Sequence, residues 1–199
     1  MIVLDIEASG LVPEKHSILS IGALDLDDPT NQFYEECRMW EGASVSEEAL
    51  VVNGFSREEI EDSTKQSEAE LLRAFIAWSM DRPKDRTLAA QNITFDRLFL
   101  EAACTRANSE YPFAHRTIDV HSLVWLHMVL RGETPPTKNN HSGIDLSYAL
   151  TYVGLPEEPK PHNALMGALC HAEVISRVAY TKNLLEDFST FSIPWETSQ

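Results

Sequence analysis

The first strand-like segment constrains the rest of the chain. Ile2-Val3-Leu4-Asp5-Ile6-Glu7-Ala8 is built mainly of branched aliphatics, which favour a buried strand, yet it carries Asp5 and Glu7 two positions apart. Side chains alternate across a strand, so both carboxylates project from the same face. A carboxylate in an apolar interior is costly unless it is protonated, paired or bound to a cation. Hard, oxygen-ligated ions such as Mg²⁺ or Mn²⁺ are the natural compensation. Pairs of this kind also end strands in solvent, so the segment alone leaves both readings open.

Around it the sequence predicts strands and helices in a definite order. Residues 17–27 read as a second strand, the turn-rich stretch 27–31 as a connection, and residues 32–40 as its antiparallel partner. Ser44 with Glu47, Ser56 with Glu59 and Ser67 with Glu70 have capping-box spacing, Gly54 reads as a helix stop, and residues 67–80 are amphipathic. Residues 87–92 read as a strand feeding a helix near Thr94, whose Phe95, Leu98, Phe99, Ala102 and Ala103 follow helical spacing. A strand over 116–120, a helix over 123–130, a polar loop over 131–142 and a short helix over 145–154 come next. A stiff acidic loop over 156–161 leads to a last helix, from near His162 to about residue 187, and to a tail whose Trp195 frays. Strands first, then strands alternating with helices, argue for the α/β class: a mixed sheet with helices on its faces.

Composition narrows the function. With 199 residues, 43% hydrophobic and 24% charged, the chain reads as one soluble globular domain. No apolar run approaches the ~20 residues of a membrane span, and Met1 leads into a strand instead of a signal peptide. Cys37, Cys104 and Cys170 are widely spaced, without a CxxC pair, which argues against disulfides or a cysteine zinc site and for a reducing cytoplasm. Sixteen basic against 31 acidic residues leave a net charge of −15, which opposes bulk electrostatic binding to nucleic acid. An enzyme whose bound metal ions reverse the local sign stays open.

Two further residues qualify for the same site. Asp96 falls in the first turn of a helix directly after a strand, at the sheet edge where α/β proteins bind ligands; an acidic residue there also suits the helix dipole. His162 opens the last helix behind a proline-rich loop, where an exposed histidine is the plain alternative.

Leu4-Asp5-Ile6-Glu7-Ala8-Ser9-Gly10-Leu11, Asn92-Ile93-Thr94-Phe95-Asp96 and His162-Asn163-Ala164-Leu165 together resemble the three motifs of the DEDDh (DnaQ-like) 3′–5′ exonucleases, in order and spacing. Smaller echoes lie at Ile18-Leu19-Ser20-Ile21-Gly22-Ala23, Asn53-Gly54-Phe55 and Thr117-Ile118-Asp119-Val120, so the resemblance covers about residues 1–180. It implies an RNase H-like fold, with a mixed five-stranded sheet and helices on both faces, over residues 1–187, and a C-terminal tail over 188–199. It also implies a two-ion site for Mg²⁺ or Mn²⁺. Asp5 would bridge both ions, Glu7 would help hold the one near the attacking water, and Asp96 would serve the second. His162 would be the general base, a role its near-neutral ordinary pKa suits. Ala8, Ser9, Gly10, Leu11, Asn92 and Phe95 would contact the terminal nucleotide, with Leu11 as an apolar wedge against its base.

One position departs from the pattern. The family's last metal-binding aspartate falls five residues after the histidine, and Gly167 stands there. His171, one turn further along the same helix face, is the candidate substitute ligand, whereas Glu173 points elsewhere. One ion is therefore expected to bind weakly, Mn²⁺ to serve better than Mg²⁺, and Gly167→Asp to raise activity. The implied reaction is hydrolysis at the 3′ end of single-stranded or short DNA or RNA. The alternatives are an impaired module that only binds 3′ ends or nucleotides, and a structural domain. Without a basic track, a short substrate or delivery by a partner protein fits best.

Overall fold

β1 (Ile2–Ala8) spans the residues expected of it, is buried except for the half-buried Asp5, and occupies the middle of the sheet. The computed structural model describes residues 1–81 and 85–196. β2 (Ile18–Asp25), β3 (Asp28–Glu36), β4 (Leu88–Ala90) and β5 (Ile118–Asp119) complete a five-stranded sheet in the order β3-β2-β1-β4-β5. β1–β2 and β2–β3 pair antiparallel, β1–β4 and β4–β5 parallel, which is the mixed sheet expected.

Alternation along β1 divides the core in two. Ile2, Leu4, Ile6 and Ala8 pack with Leu71, Leu72 and Phe75 of α3 (Glu68–Met80) and with Phe99 and Leu100 of α4 (Thr94–Arg106). Val3 enters the opposite core, with Val124 of α5 (Val120–Leu130), Leu150 of α6 (Leu146–Tyr152) and Ala168 and Ala172 of α7 (Ala164–Tyr180). Asp5 and Glu7 share the face of Val3, the one that α7 covers. α7 approaches so closely that a Cβ on Gly22 of β2 would lie 2.1 Å from the Ala164 carbonyl carbon.

The differences from expectation are mostly at boundaries. The hairpin turn is tighter than the composition of 27–31 implies: the Asp25 carboxylate accepts the Asp27 amide (2.9 Å), and β3 is already paired at Asp28. The capping boxes of Ser56 and Ser67 form, on α2 (Arg57–Glu61) and α3, and Gly54 caps α1 (Glu47–Asn53) in the left-handed region at φ 77°. Ser44 caps nothing. Ser46 caps α1, and the Ser44 carbonyl instead accepts the Ser9 hydroxyl at 2.8 Å. The polar stretch 131–142 contains a small hairpin, β6 (Thr137–Lys138) and β7 (His141–Ser142), turned by Asn139 and Asn140 at φ 52° and 63°. The last helix ends at Tyr180, with Thr181 in the left-handed region, well before the expected residue 187. The tail does not fray as far as Glu196. Ile193 is buried, and the Trp195 ring lies 4.3 Å from that of His127 and 5.3 Å from that of Tyr152. The three cysteines are free and buried, and none of the described helices is long and apolar enough to cross a membrane.

Candidate active site

Asp5 sits at mid-strand beneath the first turns of α7. Gly167 makes this placement possible, since a Cβ there would lie 2.1 Å from Asp5 Oδ2. Where the third motif lacks its aspartate, the carboxylate of Asp5 leans into the space. Gly167→Asp therefore requires Asp5 to turn away, a condition the sequence did not reveal.

Asp96 reaches the same edge from the other side. β4 pairs with β1 only at Ile2 and Val3, and the chain then turns into α4, whose first turn carries Asp96 inward until it is 2% exposed. The backbone amides of Ile6 and of Asp96 itself lower its pKa, yet Oδ1 has no hydrogen-bond partner among the described residues.

Burial and mutual repulsion hold these groups toward their protonated forms. Asp5 is pushed well above the usual carboxylate range, first by burial and then by the charges of Asp96, Glu7 and Glu158, with the Ile6 backbone amide acting the other way. Glu7 is pushed up to about 7 by burial and then by Glu158. Asp96 is raised chiefly by burial, with Glu7 and Asp119 adding to it.

Glu158 is the group that sequence reading missed. It lies in the loop before α7, in Pro156-Glu157-Glu158-Pro159-Lys160-Pro161, and its side chain is only 7% exposed. Oε2 stands 3.8 Å from His162 Nδ1, and Oε1 has no hydrogen-bond partner among the described residues. Burial raises its pKa, opposed by His162 and the Asn163 amide. The available signal was slight: an acidic residue in a loop stiffened by three prolines, four positions before the histidine.

His162 is anchored by its amide, which donates to the Val52 carbonyl at the end of α1 (3.0 Å). It forms the wall between two depressions. On one side a cleft of about 620 Å³ is lined by Asp5, Glu158, Lys160, Gln91 and His171, among others. On the other, about 180 Å³ is lined by Glu7, Tyr34 and Asn53. Among the described residues no three His, Cys, Asp or Glu side chains stand as a ready-made metal-ligand group.

His171 is buried. Its Nδ1 lies 3.0 Å from the Leu4 carbonyl, so Nδ1 carries the proton and Nε2 keeps its lone pair. Burial lowers its pKa to about 4, which keeps the ring neutral.

The expected nucleotide contacts divide. The Ser9 hydroxyl donates to the Ser44 carbonyl and accepts the Ser17 amide (2.9 Å), and Ser9 is fully buried, so its side chain acts as a strut. The Ala8 carbonyl accepts from the buried Asn53 amide group at 3.1 Å. Phe95 packs against Phe99 with ring centroids 4.7 Å apart. Leu11 is 78% exposed and Asn92 is exposed in the left-handed region at φ 55°, both free to meet a ligand. Neither these residues nor Gly10 line the two depressions beside His162.

A mixed sheet in this order, with acidic side chains gathered over its central strand, defines the RNase H-like class of nuclease folds. The chain belongs to the RNase_T exonuclease family, whose model matches residues 2–174. No curated protein matches it. Among solved structures it is similar to cell-death related nuclease 4 (CRN-4), with a TM-score of 0.72 and 14% identity over 92% of this chain and 64% of that one. The nuclease domain of 3′hExo, a DEDDh family member bound to rAMP, gives 0.69 and 17% over 92% and 93% of the two chains. E. coli exonuclease I in complex with a 5cy-dT13 oligonucleotide gives 0.69 and 12% over 90% and 41%. The chain thus spans under two thirds of the first and third of these proteins and nearly the whole of the 3′hExo domain.

Proposed function

We propose that this exonuclease-family chain hydrolyses phosphodiester bonds from the 3′ end of single-stranded or short nucleic acid, with divalent metal ions. One observation carries the reading: Asp5, Glu7 and Asp96 crowd one sheet edge, where the charges of Asp96 and Glu7 raise the pKa of Asp5 and that of Glu7 raises Asp96, with Asp96 Oδ1 buried and unpartnered among the described residues. An all-oxygen donor set with an orphaned buried oxygen fits Mg²⁺ or Mn²⁺, and Asp5, Glu7 and Asp96 are the residues that would hold them. When bound, such ions would supply Lewis-acid neutralisation of the charge that develops on the attacking and leaving oxygens.

The chain's own groups supply the rest. His162 takes the proton of the attacking water at Nε2, while Glu158 Oε2 faces Nδ1 and orients the ring. Leu11 offers an apolar surface to the terminal base. The 3′hExo domain bound to rAMP and exonuclease I with an oligonucleotide support a 3′-terminal, single-stranded substrate. The net charge of −15 supports a short substrate or delivery by a partner protein, and free buried cysteines support a cytoplasmic location.

Gly167 favours one second reading, a module that keeps 3′-end or nucleotide recognition with little turnover. Incubation with 5′-labelled single-stranded DNA and its RNA counterpart, with Mg²⁺ or Mn²⁺, separates the two. A ladder shortening from the 3′ end, absent in Glu7→Ala, is the expected result. Stoichiometric binding without a ladder would leave the module reading in its place.

A further inference from the structure

We infer that Glu158 supplies the fourth carboxylate of the metal site, delivering from the loop before α7 what Gly167 leaves out of the helix. The inference rests on the metal-dependent reading above and concerns which residue completes that site. α7 has no acidic side chain over Asp5, and the space above Gly167 is filled by the Asp5 carboxylate itself. A fourth carboxylate must therefore come from another element. Asp145 and Glu157 also line the cleft of Asp5, but both are exposed, and of the three Glu158 is the one whose side chain is buried. It lines the same cleft as Asp5, its charge acts on both Asp5 and Glu7, and its side chain is more than nine-tenths buried.

The two oxygens of Glu158 have different surroundings. Oε2 faces His162 Nδ1 at 3.8 Å, which a purely orienting role would explain. Oε1 is buried without a hydrogen-bond partner among the described residues, which that role leaves unexplained. A buried carboxylate oxygen without a donor is a cost to the fold unless something binds it. With Asp5, Glu7 and Asp96, Glu158 brings the site to four negative charges, matching two divalent ions. His171 lines the cleft too, but its neutral nitrogen adds no charge, and hard ions prefer oxygen.

The test is Mn²⁺ binding by the full chain, followed by the electron paramagnetic resonance signal of the free ion, together with thermal melts with and without Mn²⁺. Wild type, Glu158→Gln and the exposed neighbour Glu157→Gln are compared. Glu158→Gln is expected to weaken at least one Mn²⁺ by tenfold or more. It should shrink the Mn²⁺-induced rise in Tm while leaving the ion-free Tm level or higher, because a repelling charge has gone. Glu157→Gln should bind as wild type does. Equal Mn²⁺ affinity in wild type and Glu158→Gln would overturn the assignment while leaving the metal-dependent reading intact. So would equal weakening by Glu157→Gln, which would point to general charge, or loss of the cooperative melt in Glu158→Gln, which would assign the residue to structure. Wild type that binds no Mn²⁺ would remove the metal-dependent reading itself.

Discussion

Glu7 shows how a single side chain ties site to stability. In the folded chain its carboxyl holds a proton up to about 7, against an ordinary value of 4.5. Its contribution to stability is therefore complete below 4.5 and is lost as pH rises through about 7. Asp5 and Asp96 are shifted in the same direction. His171 works the other way: its ordinary value of 6.5 falls to about 4, so its contribution is present above 6.5 and lost as pH falls through about 4. The two oppose each other at mildly acidic pH, and the carboxylates act alone above the ordinary histidine value. Raising the pH of ion-free protein from about 6.5 to about 8 is thus expected to lower stability, by about 1 kcal/mol from Glu7 alone. Denaturant titrations across that interval should show this fall, a shallower one in Glu7→Gln, and a smaller one again with Mn²⁺ present. A flat profile in the ion-free wild type would contradict the crowding of these groups. The pair in β1 and Asp96 were legible in sequence because a strand's alternation and a helix's first turn are local. That their charges act on one another is a tertiary fact.

At the scale of elements, the site depends on how closely α7 lies against the sheet. Gly22 of β2 permits that approach, with the Ala164 carbonyl carbon, carbonyl oxygen and Leu165 amide all about 2.1–2.2 Å from where a Cβ would stand. These are backbone atoms at a helix start and cannot rotate aside. Gly22→Ala is therefore expected to destabilise the chain by about 2 kcal/mol or more, by lifting the N-terminus of α7. Urea denaturation measures the loss, and Mn²⁺ affinity should fall with it, since Gly167 would no longer lie over Asp5. A variant of unchanged stability would mean that α7 sits further out. In sequence the glycine reads as part of an apolar strand and of a family echo, with no sign of what it faces. Its purpose depends on Ala164, more than a hundred residues away. The boxes at Ser56 and Ser67 were legible because a cap needs only its own turn. Ser44 was misleading because it competes with Ser46, and the choice was made by the carbonyl that Ser44 offers to Ser9.

Across the whole molecule, the far end of α7 ties three segments together. Arg177 and Glu173 form a fully buried pair at 2.8 Å. The guanidinium also donates to the carbonyls of Val153, Phe188 and Phe191, and Glu173 accepts the Leu184 and Leu185 amides. The end of α6, the last helix and the tail are thus closed onto one another. Arg177→Met strands the Glu173 charge and is expected to cost about 3–5 kcal/mol. Glu173→Gln combined with Arg177→Met should cost less than the single change, and equal losses in urea would show that the charge is not what matters. Sequence alone determined the strand that carries two carboxylates, the helix start that carries the third, the histidine behind its proline loop and the missing aspartate. The first three are written in neighbouring residues, through alternation, helical period and chain order, and the fourth follows from the resemblance to the family's third motif. Only the tertiary structure decided that Glu158 is buried beside His162, that Ser9 is a strut, that His171 lies inside and that the tail is held. Burial and an unpartnered oxygen depend on which distant segments exclude water, and no local pattern carries that information.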